Sequence, residues 1–129
     1  MSSDKIRAVR NNNPGNIEKG APWQGLSPPE EMTDEQKDEK RFCVFKSPKW
    51  GFRALARTLI TYQDKHGIRT IVGVIARWAP PTENVTTAYV KHVSDMTGFK
   101  ADEVLDLHSY EHLAPLVKAI AIHESGQPK

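Results

Sequence analysis

The chain has 129 residues, 38% of them hydrophobic, and a formal net charge of +2. This length and a mean hydropathy of −0.57 predict one globular domain over residues 1–129 and exclude a second domain with a core of its own. No apolar run is long enough for a membrane-spanning helix and no signal peptide is evident, so we expect synthesis in the cytoplasm without membrane insertion. The single cysteine, Cys43, excludes an internal disulfide.

A small β element is predicted in the first third of the chain. Residues 16–19 and 41–46, where Phe42 and Val44 alternate with their neighbours, are predicted to form a short hairpin or sheet. Between them, residues 27–41 carry six acids and three bases, and this segment is predicted to be a charged surface loop insert that can include one helical turn. The remaining 15 bases and 10 acids give the rest of the chain a charge of +5, which suits a polyanionic partner such as nucleic acid or cell wall.

Four helices are predicted in the rest of the chain, where apolar residues recur with a 3.6-residue period. Their predicted ranges are 48–66, 70–79, about 84–97 and 109–124, with a short helical turn at 100–105. Ser47 and Gly67 supply the first helix with an N-cap and a C-cap. Because Pro115 lies inside the last range, an alternative start of that helix lies near residue 114. The predicted fold is α+β and predominantly α-helical.

The last predicted helix ends in a glutamate on its apolar face. Glu124 lies four residues after Ile120 and seven after Val117, so it continues the buried stripe. Burial there would raise the pKa of its carboxyl and keep it protonated, as a general acid requires. From position alone, the simpler interpretation is a terminal glutamate that only marks the end of the stripe.

Two further segments carry candidate functional residues. The first, RNNNPGNI at residues 10–17, is either a tight turn or a set of amides for a polar ligand. The second, RWAPPTEN at residues 77–84, places Glu83 at a helix start, where it serves either the helix dipole or catalysis.

Four motifs in fixed order, RNNNPGNI, FCVFKSPKWGFRA, RWAPPTEN and AIAIHESG, resemble phage-encoded virion proteins and endolysins of the lysozyme-like superfamily. The last motif also resembles the Glu-Ser motif of lytic transglycosylases. In those enzymes the Glu-Ser helix comes first and an Asn-rich segment follows it, whereas here the order is reversed. We therefore hypothesise a circularly permuted lysozyme-like fold, which predicts that residues 11–16 lie beside Glu124.

The resemblance implies a peptidoglycan glycosidase, a muramidase or lytic transglycosylase, that cleaves the β-1,4 bond between N-acetylmuramic acid and N-acetylglucosamine. Glu124 would be the general acid. A hydrolase would need a second carboxylate, either Glu83 or, behind it, Asp64 or Glu18, whereas a transglycosylase needs none. The residues expected to bind substrate are Asn12, Asn13, Asn16, Trp23, Tyr62 and Tyr89. We expect no cofactor and no metal, a monomer, and peptidoglycan glycan strands as the partner.

Three other interpretations compete with this one. Asp106, His108, His112 and His123 are candidate metal ligands, but neither an HExxH motif nor a cysteine pair accompanies them. Basic residues recur along the chain without a nucleic-acid-binding signature, so nucleic acid is not the expected partner. The alternative function is a non-catalytic virion structural or interaction protein with the same fold. An enzyme would act on the periplasmic wall of the host, either released at lysis or carried in the virion.

Overall fold

The computed structural model describes residues 3–79 and 83–125, and the chain in these ranges is predominantly helical, as predicted. The helices in chain order are α1 (Ser3–Arg10), a 3-10 turn (Pro29–Glu31), α2 (Asp34–Lys37), α3 (Pro48–His66), α4 (Ile71–Trp78), α5 (Glu83–Thr97) and α6 (Tyr110–Ser125). None of the helices in the described ranges is both long and apolar enough to cross a bilayer.

The predicted limits of α3 and α4 are confirmed by their caps. α3 begins at Pro48 and ends before Gly67, whose left-handed backbone (φ 65°) lets its N–H donate to the Gln63 carbonyl at 3.0 Å. Thr70 caps α4, because its hydroxyl accepts a hydrogen bond from the Gly73 N–H at 3.0 Å. The proline pair predicted to end α4 lies outside the described residues.

The last helix, predicted over residues 109–124, is α6, which begins at Tyr110 and contains Pro115, so the alternative start near residue 114 is not used. The prediction of a helical turn at 100–105 is wrong. Residues 100–105 form a turn followed by irregular backbone instead of a helical turn. The reason is a reciprocal pair of bonds: the Leu105 N–H donates to the Arg69 carbonyl at 2.8 Å, and the Arg69 guanidinium donates to the Leu105 carbonyl at 2.7 Å.

The predicted hairpin or sheet is not formed in the described residues, which contain two isolated antiparallel bridges, Glu18–Phe42 and Leu26–Phe45. Residues 41–46 lie between two partner segments, 17–19 on one side and 25–27 on the other. Positive φ angles at Gly20 and Gly25 turn both partners out of extended conformation, which limits each pairing to one bridge.

Helix α1 was not predicted, and a buried carboxylate from the charged segment holds it. Glu39 has a side chain with no exposed surface. Its oxygens accept hydrogen bonds from the Arg7 guanidinium at 2.9 and 3.1 Å, from Arg10 at 2.7 Å and from the Asn11 amide at 3.0 Å. An ionised carboxylate in this position therefore fixes the C-terminal end of α1 through charge-assisted bonds.

Glu39 is thus an exception to the prediction that residues 27–41 form a charged surface loop. The backbone N–H groups of Arg41 and Phe42 also donate to Glu39, each at 2.9 Å. Although burial opposes ionisation, the bonds from Arg7, from these two N–H groups and from Asn11 together hold the pKa of Glu39 well below its usual range. Within residues 27–41, Glu39 is buried and binds the end of α1, whereas most of the other residues are exposed.

The main core lies between α3, α4, α5 and α6. A smaller cluster formed by Cys43, Phe45 and Ala54 joins α3 to the bridged segments and buries the cysteine. The main cluster consists of Leu55, Leu59, Ile71, Val74, Ile75, Ala79, Tyr89, Val93, Leu105, Leu107, Leu116, Val117, Ala119, Ile120 and Ala121.

Gly51 allows α3 to pack directly on residues 10–17, which we call the Asn-rich segment. A Cβ at this position would overlap the Asn12 carbonyl oxygen and lie 2.6 Å from Cδ of Pro14. Because the obstructing atom is backbone, we expect Gly51→Ala to lower the free energy of unfolding in urea by about 3 kcal/mol. The control is Gly67→Ala, where no atom lies within 4 Å and only the left-handed φ opposes the change, at about 1 kcal/mol. Equal losses in the two variants would contradict this packing.

Candidate active site

A cleft of about 710 Å³ lies where the C-terminal ends of α4 and α6 meet the Asn-rich segment, and we call it the Glu124 cleft. Its residues come from three parts of the chain, the N-terminal segments, α3 with α4, and the last turn of α6. The lining residues are Gly15, Asn16, Ile17, Glu18, Ala21, Trp23, Arg41, Phe42, Thr58, Tyr62, Ala76, Arg77, Trp78, Ala79 and Glu124.

The Glu124 carboxylate is oriented by donors from two other helices. The Tyr89 hydroxyl, on α5, donates to Oε2 at 2.8 Å, and the Trp78 indole N–H, at the end of α4, donates to the same oxygen at 3.3 Å. Glu124 is half-buried, so it is supported by the core and still borders the cleft. This arrangement fixes one carboxylate oxygen against the protein.

Tyr89 is suited to remain a donor. Burial, followed by the negative charge of Glu124 and the hydrogen bond to it, raises the pKa of Tyr89 far above its usual value, so the phenol keeps its proton. The His123 ring stacks on Tyr89 with 3.6 Å between ring centroids. Nδ1 of His123 lies 2.8 Å from Nδ1 of His92, so one of these two imidazoles donates to the other. The Tyr89 side chain is therefore fixed both by the His123 ring that stacks on it and by the hydrogen bond from its hydroxyl to Glu124.

The circular-permutation hypothesis predicts that residues 11–16 lie beside Glu124, and two of these residues border the same cleft as the glutamate. They are Gly15 and Asn16. Asn16 has a left-handed backbone (φ 51°), a conformation that asparagine adopts more readily than most residues. Gly15 packs against the Trp78 indole, where a Cβ would lie 3.0 Å from Cζ2. The segment thus contacts Trp78, one of the two residues that orient the Glu124 carboxylate.

Asn12 and Asn13, which were also predicted to bind substrate, do not line the Glu124 cleft. The Asn13 side chain is fully buried, donates to the Ile17 and Cys43 carbonyls at 2.9 and 3.0 Å, and accepts from the Ile17 N–H at 2.9 Å. The Asn12 amide donates to the Phe45 carbonyl at 2.9 Å. Both side chains satisfy backbone groups and hold the turn, while Asn16 is the member of the trio placed at the cleft.

The aromatic residues predicted to bind substrate either line the Glu124 cleft or contact the Glu124 carboxylate. Trp23 and Tyr62 line the cleft, and Tyr89 contacts the carboxylate from the core side. The predicted core position of Trp78 is only partly right, because its indole also lines the cleft and donates to Glu124.

The candidates for a second carboxylate have different positions. Glu83 is the first residue of α5, and its side chain lies outside the described part of the structure. Asp64 is paired with His108 at 2.6 Å and is not among the cleft residues. Glu18 lines the cleft, where its carboxylate is paired with Arg41 at 2.8 Å. Among the described side chains, Glu18 is therefore the carboxylate that shares the cleft with Glu124.

Among the charged and hydroxyl-bearing residues of the cleft, three were not singled out as site residues from the sequence: Arg41, Thr58 and Arg77. Arg41 and Thr58 carry no local signal. Arg77 does, because it opens the RWAPPTEN motif and immediately precedes Trp78.

The candidate metal ligands are not grouped in the structure. Within residues 3–79 and 83–125, no cluster of three or more His, Cys, Asp or Glu side chains is arranged to hold a metal ion. His112 instead accepts a hydrogen bond at Nδ1 from the Asp106 N–H at 2.8 Å.

The comparisons with known proteins identify a viral relative. No protein-family model matches the chain. Over 112 residues the chain is 39% identical to a protein named Protein P5 from Pseudoalteromonas phage PM2. The alignment covers 84% of this chain and 66% of Protein P5, so the chain spans slightly less than two thirds of that protein. The chain is thus a relative of a phage-encoded protein, in agreement with the phage resemblance of its motifs.

Proposed function

We propose that this protein is a phage peptidoglycan glycosidase that cleaves the β-1,4 bond between N-acetylmuramic acid and N-acetylglucosamine, with Glu124 as the general acid. The observation that carries the proposal is the Glu124 carboxyl, held by Tyr89 and Trp78 in the wall of a cleft. Trp23 offers an apolar ring face for a pyranose, and Asn16 offers an amide for its hydroxyl and acetamido groups. Protonation of a glycosidic oxygen requires a carboxylic acid fixed in such a setting.

In the proposed reaction Glu124, with Oε2 held by Tyr89 and Trp78, gives its proton to the glycosidic oxygen. The bond to the muramoyl anomeric carbon breaks as the proton is transferred, and positive charge develops on the sugar ring. Glu124, now ionised, can then accept a proton from the group that attacks this carbon.

Two attacking groups are compatible with the cleft. In a transglycosylase the muramoyl 6-hydroxyl attacks, Glu124 takes its proton, and a 1,6-anhydro product forms. In a hydrolase a water attacks with help from a second carboxylate, for which Glu18 and Glu83 are the candidates. We favour the first scheme because it needs no second carboxylate, and Glu18 is already paired with Arg41.

The circularly permuted lysozyme-like fold is part of the same proposal. It is supported by Asn16 and Glu124, which come from opposite ends of the chain and border one cleft. The wall of the phage host is the proposed site of action, reached either from the virion or at lysis.

Digestion of purified Gram-negative murein sacculi tests the proposal. We expect soluble muropeptides, and mass spectrometry of their ends separates the schemes: 1,6-anhydro-muramoyl ends indicate transglycosylation, and reducing muramoyl ends indicate hydrolysis. Sacculi that remain intact under conditions where an established lysozyme solubilises them would contradict the enzyme and support a non-catalytic virion protein.

Tyr89 is proposed to position Glu124, so Tyr89→Phe should lower kcat with little effect on KM. A hydrogen bond to a charged group contributes about 1.5–3 kcal/mol, which corresponds to a roughly 10- to 100-fold loss in kcat if it is fully needed for proton transfer. The readout is steady-state kinetics on solubilised glycan strands. Tyr110→Phe is the matched control, because Tyr110 is 83% exposed and is not among the cleft residues. A rise in KM at constant kcat would instead indicate a role in substrate binding.

A further inference from the structure

A cationic side chain, that of Arg77, lines the Glu124 cleft and precedes Trp78, one of the two residues that orient the Glu124 carboxylate. Arg77 is in the last turn of α4, immediately before Trp78, and lines the cleft. Its guanidinium carbon lies 5.5 Å from the centroid of the Tyr62 ring. A cation over an aromatic face is attracted by the ring quadrupole, so Tyr62 restricts where this guanidinium can lie.

The charge of Arg77 is not neutralised by the protein in the part of the chain that the structure describes. Of the charged side chains that line the cleft, Arg41 and Glu18 form an ion pair at 2.8 Å. No described carboxylate lies within salt-bridge distance of Arg77. When Glu124 carries the proton needed for catalysis, Arg77 therefore leaves the cleft with a net positive charge.

This charge discriminates between the two glycan chemistries that could occupy the cleft. N-acetylglucosamine units offer only hydroxyl and acetamido groups, which are neutral. An N-acetylmuramic acid unit carries a lactyl ether that ends in a carboxylate or continues into a peptide with carboxylates of its own. A guanidinium matches a carboxylate with two parallel N–H···O bonds, which makes arginine selective for such a group.

We propose that Arg77 is a specificity-determining residue that binds a carboxylate of the muramoyl side chain and so selects anionic murein over neutral chitin oligosaccharides. The proposal rests on the proposed function, because it assumes that a glycan occupies this cleft. Trp78 orients Glu124 and its neighbour Arg77 binds the anion, so one turn of α4 aligns the muramoyl unit with the proton donor.

The test measures binding in the Glu124→Gln background, where ligands are not turned over. The probes are a purified N-acetylglucosaminyl-N-acetylmuramoyl tetrapeptide and neutral chitotetraose, each titrated by calorimetry. We expect Arg77→Gln to weaken binding of the muropeptide about tenfold and to leave chitotetraose binding unchanged, because a charge-assisted bidentate contact is lost. Arg77→Lys should retain part of the preference. Arg57→Gln is the control, since it removes the same charge from an exposed residue of α3 that does not line the cleft.

Different results would contradict the role of Arg77 and the glycosidase activity. Equal weakening of both ligands, no weakening of either, or no binding of the muropeptide would overturn the role of Arg77. Intact sacculi in the digestion experiment would overturn the glycosidase, while a selective loss of muropeptide binding in Arg77→Gln would still support an anion-selective glycan site.

Discussion

Glu124→Gln is expected to abolish murein lysis while leaving the thermal midpoint nearly unchanged. Glutamine keeps the shape of the side chain and an oxygen that can accept the Tyr89 and Trp78 bonds, but it has no proton to give the glycosidic oxygen. General acid catalysis contributes about 10²- to 10⁴-fold, so a loss of this size is expected in the initial rate of clearing of a sacculus suspension. Calorimetry on the same sample measures the midpoint.

The control for this change is Glu111→Gln, an exposed glutamate in the first turn of the same helix. It removes an equal charge far along α6 and should lyse sacculi at the wild-type rate. Lysis by Glu124→Gln at a rate within a factor of two of the control would show that another group donates the proton.

Glu39→Ala is expected to cause a large loss of stability, although Glu39 does not line the cleft. The change removes the carboxylate that Arg7 and Arg10 share, and it removes the acceptor of the Arg41 and Phe42 N–H groups. Breaking a buried ion pair costs about 3–5 kcal/mol, and because both arginines are partly exposed we expect a value near 3 kcal/mol. Urea unfolding of the two proteins measures the difference.

The same residue predicts how stability changes with pH. Because its folded-state pKa is lowered, Glu39 stabilises the fold fully above the ordinary carboxyl pKa of about 4, and this contribution is lost as pH falls below it. The stability gap between wild type and Glu39→Ala should therefore narrow as the pH is lowered from 6 to 2. Glu35→Ala, an exposed change in α2, should track the wild type at each pH. A gap that stays constant would show that the carboxylate does not act through its charge.

The sequence predicted the helices whose signals are local. Gly67 and the Thr70 cap lie beside the helices they limit, so α3 and α4 could be delimited without knowledge of the fold. α1 has only three apolar residues among eight, and the group that holds it, Glu39, lies about thirty residues away. The reciprocal bonds between Arg69 and Leu105 are equally non-local. Their partners meet only after the helices have packed.

The candidate site likewise contains some residues that could be predicted from the sequence and others that could not. Motif order placed Asn16 near Glu124, and the cleft contains both. The roles of Asn12 and Asn13 could not be separated from that of Asn16, because an amide can bond backbone carbonyls as well as a ligand. The Arg77–Tyr62 contact and the Glu18–Arg41 pair join residues that are distant in sequence. No spacing of residues in the sequence predicts contacts of this kind.

The threading of residues 41–46 between two partner segments has a consequence for local unfolding. The Phe45 N–H donates to the Asn11 carbonyl and the Cys43 N–H to Ile17, so separating these strands of backbone would release the Asn16 wall of the cleft at the same moment. Amide hydrogens at 17, 43 and 45 should consequently exchange with deuterium as one cooperative unit. In that event the acidic segment, through Glu39, sets how often the wall of the cleft that contains Asn16 opens.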